Sequence, residues 1–222
     1  MKLCVVLILS IVLPSLIGLP TCSSERASSM TKNDARPCLD VKPLIHRLGS
    51  PNKNTREDAK KEILGLAEQS ASSRQCIISA MIGLANKVTT EQPNGFMLAV
   101  KSPRSYEQWL ELTEILGAMK AAEALDLLID NLDFNDGKTN LGIRHYPAAI
   151  AMARLGDQAI PGLTKILKRG SLSKKYLAAY TLCSNGGVKA KQALEKAASD
   201  EKDTDIVSYF RNGLQYWRCF QP

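Results

Sequence analysis

The stretch AAIAMARLG at residues 148–156 returns at 178–186 as AAYTLCSNG. A third version, WLELTEILG, fills 109–117, and a weaker one, AKKEILGLA, fills 59–67. A second short amphipathic segment follows each of them. One helix pair of this kind cannot bury its apolar face alone, so its recurrence predicts units stacked side by side around a continuous core. The expected fold is all-α, a right-handed α-α superhelix (solenoid) of about five antiparallel helix pairs. Composition agrees with this. Aromatics are only 5% of the chain, while Ala and Leu, which suit closely packed helices, are abundant.

Apolar periodicity and capping residues place the pairs at 39–49 with 54–69, 73–87 with 105–118, 121–132 with 145–155, 158–168 with 172–184, and 188–199 with 204–218. Asn54 and Thr55, followed by Glu57 and Asp58, give one helix a capped, acidic start. Ala124, Leu125, Leu128, Ile129 and Leu132 form a single stripe. Pro147 and Pro161 fall in first turns, where a missing N–H does no harm.

These second-helix phrases resemble the HEAT and HEAT-like repeat superfamily, whose corresponding helix often reads R-x-x-A-A-x-A-L-x-x-L-G. Ala148, Ala149, Ala151, Met152, Leu155 and Gly156 fill that pattern. Ala178, Ala179, Leu182 and Gly186 fill it again, with Thr181 and Asn185 as departures. The small residues let paired helices approach closely, and the terminal Gly can adopt φ > 0 and stop the helix. The family's basic position, three residues before the first Ala, is held by Arg56 and Lys175 and replaced by Tyr106 and His145. There the resemblance implies a brace between neighbouring repeats. It covers about 39–219 and speaks to architecture rather than to function. Some HEAT-like proteins resemble bilin lyases or DNA glycosylases, enzymes whose substrates are intracellular.

The phrases begin at 59, 109, 148 and 178, so their spacing contracts along the chain. The excess falls in two additions, 88–104 (VTTEQPNGFMLAVKSPR) and 133–143 (DFNDGKTNLGI). Equivalent loops of a solenoid emerge along one edge, and long loops of this kind are where binding residues collect. Asn94-Gly95 predicts a tight turn or small hairpin. The candidate contacts are Phe96, Met97, Phe134 and Asp136 in the additions, with Tyr106, Arg144, His145 and Tyr176 on or near second helices. A competing reading has Phe96 to Val100 folding back over a gap in the core. Asn131, Asp133 and Asn135 have the start of a calcium-loop spacing, but Asp136 stands where Gly is needed and Gly142 where Glu is needed, so a plain turn is expected.

Residues 1–22 read as an export signal: Lys2 is the only charge before Glu25, Leu3 to Leu19 is almost wholly apolar, and small residues follow. A retained membrane span is the rival reading. Leu19-Pro20-Thr21-Cys22 resembles a bacterial lipobox, with Thr21 where Gly, Ala or Ser is usual. Cys22 is therefore either a lipidation site that attaches the protein to a membrane or the residue after which ordinary cleavage occurs. Residues 23–37 read as a flexible tether and 38–222 as the HEAT-like domain. The expected location is the periplasm, cell envelope or exterior. Export sets nucleic acid aside as a partner. The chain carries a net +7, which suits anionic headgroups, acidic glycans or acidic proteins.

Export permits disulfides. Parallel neighbouring helices bring Cys38 near Cys76 and Cys183 near Cys219, which predicts those two pairings and leaves Cys22 over. No Cys-x-x-Cys occurs. His46 and His145 are the only histidines, and there is no His-Glu-x-x-His, phosphate-binding glycine loop or G-x-S-x-G elbow. Glu111/Glu114 and Asp200/Glu201 read as solvated faces. No cofactor, metal or catalytic residue is expected. The sequence reads as an exported, non-catalytic, monomeric module that binds a protein or peptide on its concave face and at the two additions. The alternative is an envelope structural protein held by lipid or charge.

Overall fold

The computed structural model describes residues 41–92, 95–135, 137 and 145–216. Contacts divide the chain into Met1–Arg36 and Pro37–Pro222, and every described residue belongs to the second unit. The expected export signal (1–22), the expected tether (23–37), Cys22, Cys38 and Cys219 lie outside the described residues.

The described residues are all-helical, with no strand among them. Helix α1 (Lys42–Arg47) leads to α2 (Lys53–Gln69), α3 (Ala71–Glu91), α4 (Gly95–Lys101) and α5 (Pro103–Ala118). A 3-10 turn at Ala122–Ala124 precedes α6 (Leu125–Asp130), and another at Gly156–Ala159 joins α7 (Pro147–Leu155) to α8 (Ile160–Arg169). Helices α9 (Leu172–Asn185), α10 (Gly187–Asp200) and α11 (Thr204–Tyr216) follow. Among the described residues no helix is long and apolar enough to cross a membrane.

The expected pairs are present as α1 with α2, α3 with α5, α6 with α7, α8 with α9 and α10 with α11. Helices α2, α5, α7, α9 and α11 each pack on the next, and α3, α6, α8 and α10 do the same beside them. No substantial packing joins α1–α3 to α8–α11 among the described residues. The core is continuous, with Ile63, Met81, Trp109, Leu128, Met152, Leu163, Leu182 and Phe210 fully buried along its length.

Local chemistry explains the helix ends. Gly156 (φ 65°) and Gly186 (φ 73°) end α7 and α9 in the left-handed region, where a Cβ is strained. Asn185, a departure from the family pattern, donates from Nδ2 to the Gly156 carbonyl at 2.6 Å and ties one copy of the phrase to the next. The copy in α5 behaves differently. Gly117 stays helical, and a Cβ on it would lie 2.8 Å from Ala151 Cα of α7. The left-handed turn falls instead on Lys120 (φ 49°). The cap of α2 is Asn52, whose Oδ1 accepts from the Asn54 and Thr55 N–H groups, rather than Asn54 itself. Ser70 and Ser171 cap α3 and α9.

The main correction concerns 88–104. No hairpin forms there among the described residues: α3 continues to Glu91 and a further short helix, α4, begins at Gly95. Val88 and Thr89 are buried in the last turns of α3, and Leu98 packs into the core at 4% exposure. Burying those side chains favours helix on both sides of the break, while Asn94, on which the expected tight turn rests, lies outside the described residues.

Candidate interaction edge

The two additions meet. Gly95 opens α4 so tightly against the second addition that a Cβ would lie 2.2 Å from the Asn135 carbonyl oxygen. Only glycine permits that approach. From this contact α4 runs outward. Leu98 faces the core, Ala99 packs against it, Met97 is half-buried, and Val100 is 61% exposed beside exposed Lys101. The segment thus covers part of the core with one side and presents the other to solvent. The side chain of Phe96 lies outside the described residues, as do Asp136 and Arg144.

Two expected contact residues prove to be core. Phe134 is 5% exposed and Tyr106 is 7% exposed. The Phe134 ring lies 5.3 Å from Trp109, edge-on, and 6.4 Å from Tyr106, nearly parallel. Burying an aromatic ring among others is worth about 2–3 kcal/mol, which a solvent-facing Phe134 would forgo. Its ring therefore pins the second addition to α5. His145 stands partly exposed just ahead of α7. Tyr176 packs its ring 4.3 Å from Tyr209 of α11. Burial, and then the neighbouring Tyr180 and Tyr176, push the Tyr209 phenol up to about 12.

The residues with partial calcium-loop spacing serve the local turn. Asn131 Nδ2 donates to the Leu127 carbonyl, Asn135 Nδ2 to the Asp133 carbonyl, and Gly137 N–H to Asn135 Oδ1. Lys174 of α9 reaches across to the Asp130 carbonyl at 2.8 Å and the Asp133 carboxylate at 3.6 Å. Among the described residues no group of three or more His, Cys, Asp or Glu side chains could hold a metal ion.

Sequence reasoning missed an ion-pair brace between α2 and α5. Glu111, expected on a solvated face, is 8% exposed. Its Oε1 accepts from Arg56 Nε at 3.0 Å, and its Oε2 lies 2.8 Å from Lys60 Nζ. Arg56 also pairs with Glu107 and donates to the Ser50 carbonyl, and Lys60 also pairs with Glu114. Burial alone lowers the pKa of Lys60, but the hydrogen bonds and charges of Glu111 and Glu114 outweigh it and hold the ammonium above the usual lysine range. A signal for the brace was present. Arg56 and Lys60 are four residues apart, as are Glu107 and Glu111, so each pair shares a helix face. Lys175, the other basic residue at that phrase position, pairs with Glu201 just before α11. That hydrogen bond, with the Asp203 N–H next and the Lys202 N–H adding to it against the effect of burial, holds the Glu201 carboxyl below the usual range. Both basic residues thus act as structural ties.

No protein-family model matches this chain, and no curated protein matches it at a significant level.

Proposed function

We propose that this chain is an exported, non-catalytic binding module of the HEAT-like solenoid kind, holding a protein or peptide along the edge built by its two additions. Neighbour-only packing of the helix pairs supports the solenoid reading. The positive-φ glycines that close α7 and α9 support the repeat reading. The observation that carries the binding reading is the approach of Gly95 to Asn135. It joins both additions into one surface and leaves Val100 and Lys101 exposed beside it. The pairings Cys38–Cys76 and Cys183–Cys219 belong to this proposal.

Deleting α4 is a poor test, because Leu98 would leave the core with it. The better variant is Val100→Asp with Lys101→Glu, which changes exposed side chains only. Photo-crosslinkers placed along 97–101 in the native host should capture a reproducible partner, and the double variant should lose it with its helical circular dichroism unchanged. Undiminished capture by the variant would remove the edge from consideration.

A further inference from the structure

A cavity of about 360 Å³ opens where the α1–α2 turn meets the start of α5. Its wall carries His46, Arg47 and Arg104, with Thr55, Ser105 and Gln108 among its polar groups, and no Asp or Glu lines it among the described residues. Arg47 is engaged by Glu62 at 2.9 Å. The side chains of His46 and Arg104 make no hydrogen bond or ion pair among the described residues. Two cation-capable side chains thus line one cavity without a partner among the described residues, beside hydroxyls that can donate.

The walls are fixed before any ligand arrives. Gln108 Nε2 donates to the Ile45 carbonyl at 2.9 Å and locks α5 onto α1. Arg56, itself held by Glu111, donates to the Ser50 carbonyl at 2.8 Å and holds the turn that forms the floor. A preformed, positively biased cavity favours an anion, because the ordering cost is already met. The arginine fork suits a tetrahedral or planar oxyanion. The volume sits near the lower end of the roughly 300–1,000 Å³ range of small-molecule sites and exceeds what a bare phosphate fills.

We infer that this cavity binds a small phosphorylated or sulfated molecule of about monosaccharide size, its oxyanion held by Arg104 and His46 and its neutral part resting among Thr55, Ser105 and Gln108. The site lies apart from the exposed patch at Val100 and Lys101, neither of which lines it, although Arg104 is the last residue of the first addition.

Titration calorimetry on the full chain tests this with a hexose 6-phosphate, the unphosphorylated hexose, inorganic phosphate, and anionic phosphatidylglycerol vesicles as probes. The expected order is hexose phosphate strongest, inorganic phosphate weaker and the neutral hexose silent. Arg104→Gln should weaken the hexose phosphate about tenfold or more, as loss of a charge-assisted hydrogen bond implies. His46→Gln should weaken it by a smaller factor. Arg104 and His46 are both exposed, so neither variant threatens the fold. Equal affinity for inorganic phosphate and hexose phosphate would overturn the size assignment and leave a simple ion site. Binding to vesicles alone would overturn it in favour of a membrane surface. No binding, or binding indifferent to Arg104→Gln, would overturn it outright.

Discussion

At the scale of single residues, Glu111 holds two cations at once, and nearly all of it is withdrawn from water. Removing one partner of a buried ion pair leaves uncompensated charge, a loss of about 3–5 kcal/mol. Arg56 would keep Glu107 and Lys60 would keep Glu114, so the lower end applies. Glu111→Ala should therefore reduce the unfolding free energy by about 3 kcal/mol in a urea titration, whereas Glu62→Ala, at an exposed pair, should change it by less than about 1 kcal/mol. Equal losses from the two would mean that the brace carries no special weight. The pH dependence follows from the same contacts. Lys60 has its folded pKa raised above its unfolded value near 10.5, so its contribution is fully present below that pH and fades as pH climbs beyond it. Glu201 has its folded pKa lowered from 4.5, so its contribution is present above that value and fades as pH falls through the lowered one. Stability should be level between about pH 5 and 10 as far as these groups are concerned. Arg56 and Lys175 were legible as braces because each holds a fixed place in the repeated phrase. Glu111 was harder to read: its four-residue spacing from Glu107 marks a shared face, but its partner Arg56 lies 55 residues away and the spacing by itself gives no sign of burial.

At the scale of elements, the same glycine chemistry should act in opposite directions at two places. Gly95→Ala would drive a methyl into the Asn135 backbone, and overpacking of that kind costs about 1–3 kcal/mol. The strain concentrates on α4, so amides of 95–101 should exchange faster and the segment should become the first site cut by a nonspecific protease. Gly83 sits mid-helix in α3 with nothing within 4 Å of where a Cβ would lie. Gly83→Ala should raise stability by about 0.5–1 kcal/mol through helix propensity alone. If Gly95→Ala leaves exchange in α4 unchanged, the two additions do not meet as described. The long second helices were readable because three or four turns display a full apolar stripe. Helix α4, at 7 residues, is too short to show one, and the Asn94-Gly95 pair advertised a turn. What holds it is tertiary, chiefly Leu98 in the core. Phe134 was misread for a related reason: an aromatic in a loop signals exposure or anchoring equally well until Trp109 and Tyr106 are seen on either side of it.

At the scale of the whole molecule, stability should be graded along the stack. Helices α5 and α7 have packed neighbours before and after them, whereas among the described residues the substantial packing of α11 is on α9 and α10. When each unit touches only the next, stability is close to a sum of unit and interface terms, and the ends open first. Beside this packing, Lys175–Glu201 is a tie just ahead of α11, and the proposed Cys183–Cys219 bond would be a second. A disulfide closing a loop of this length is worth about 2–4 kcal/mol, and in a stack that energy is spent locally. Native-state hydrogen exchange on the oxidised chain should show α11 protected almost as well as α9. After reduction and thiol capping, α11 amides should exchange about 30-fold faster or more, the equivalent of at least about 2 kcal/mol. Amides of α5 and α7 should keep their rates. Uniform acceleration across all helices would show a single cooperative core rather than a stack, and no change at α11 would show that no disulfide pins it.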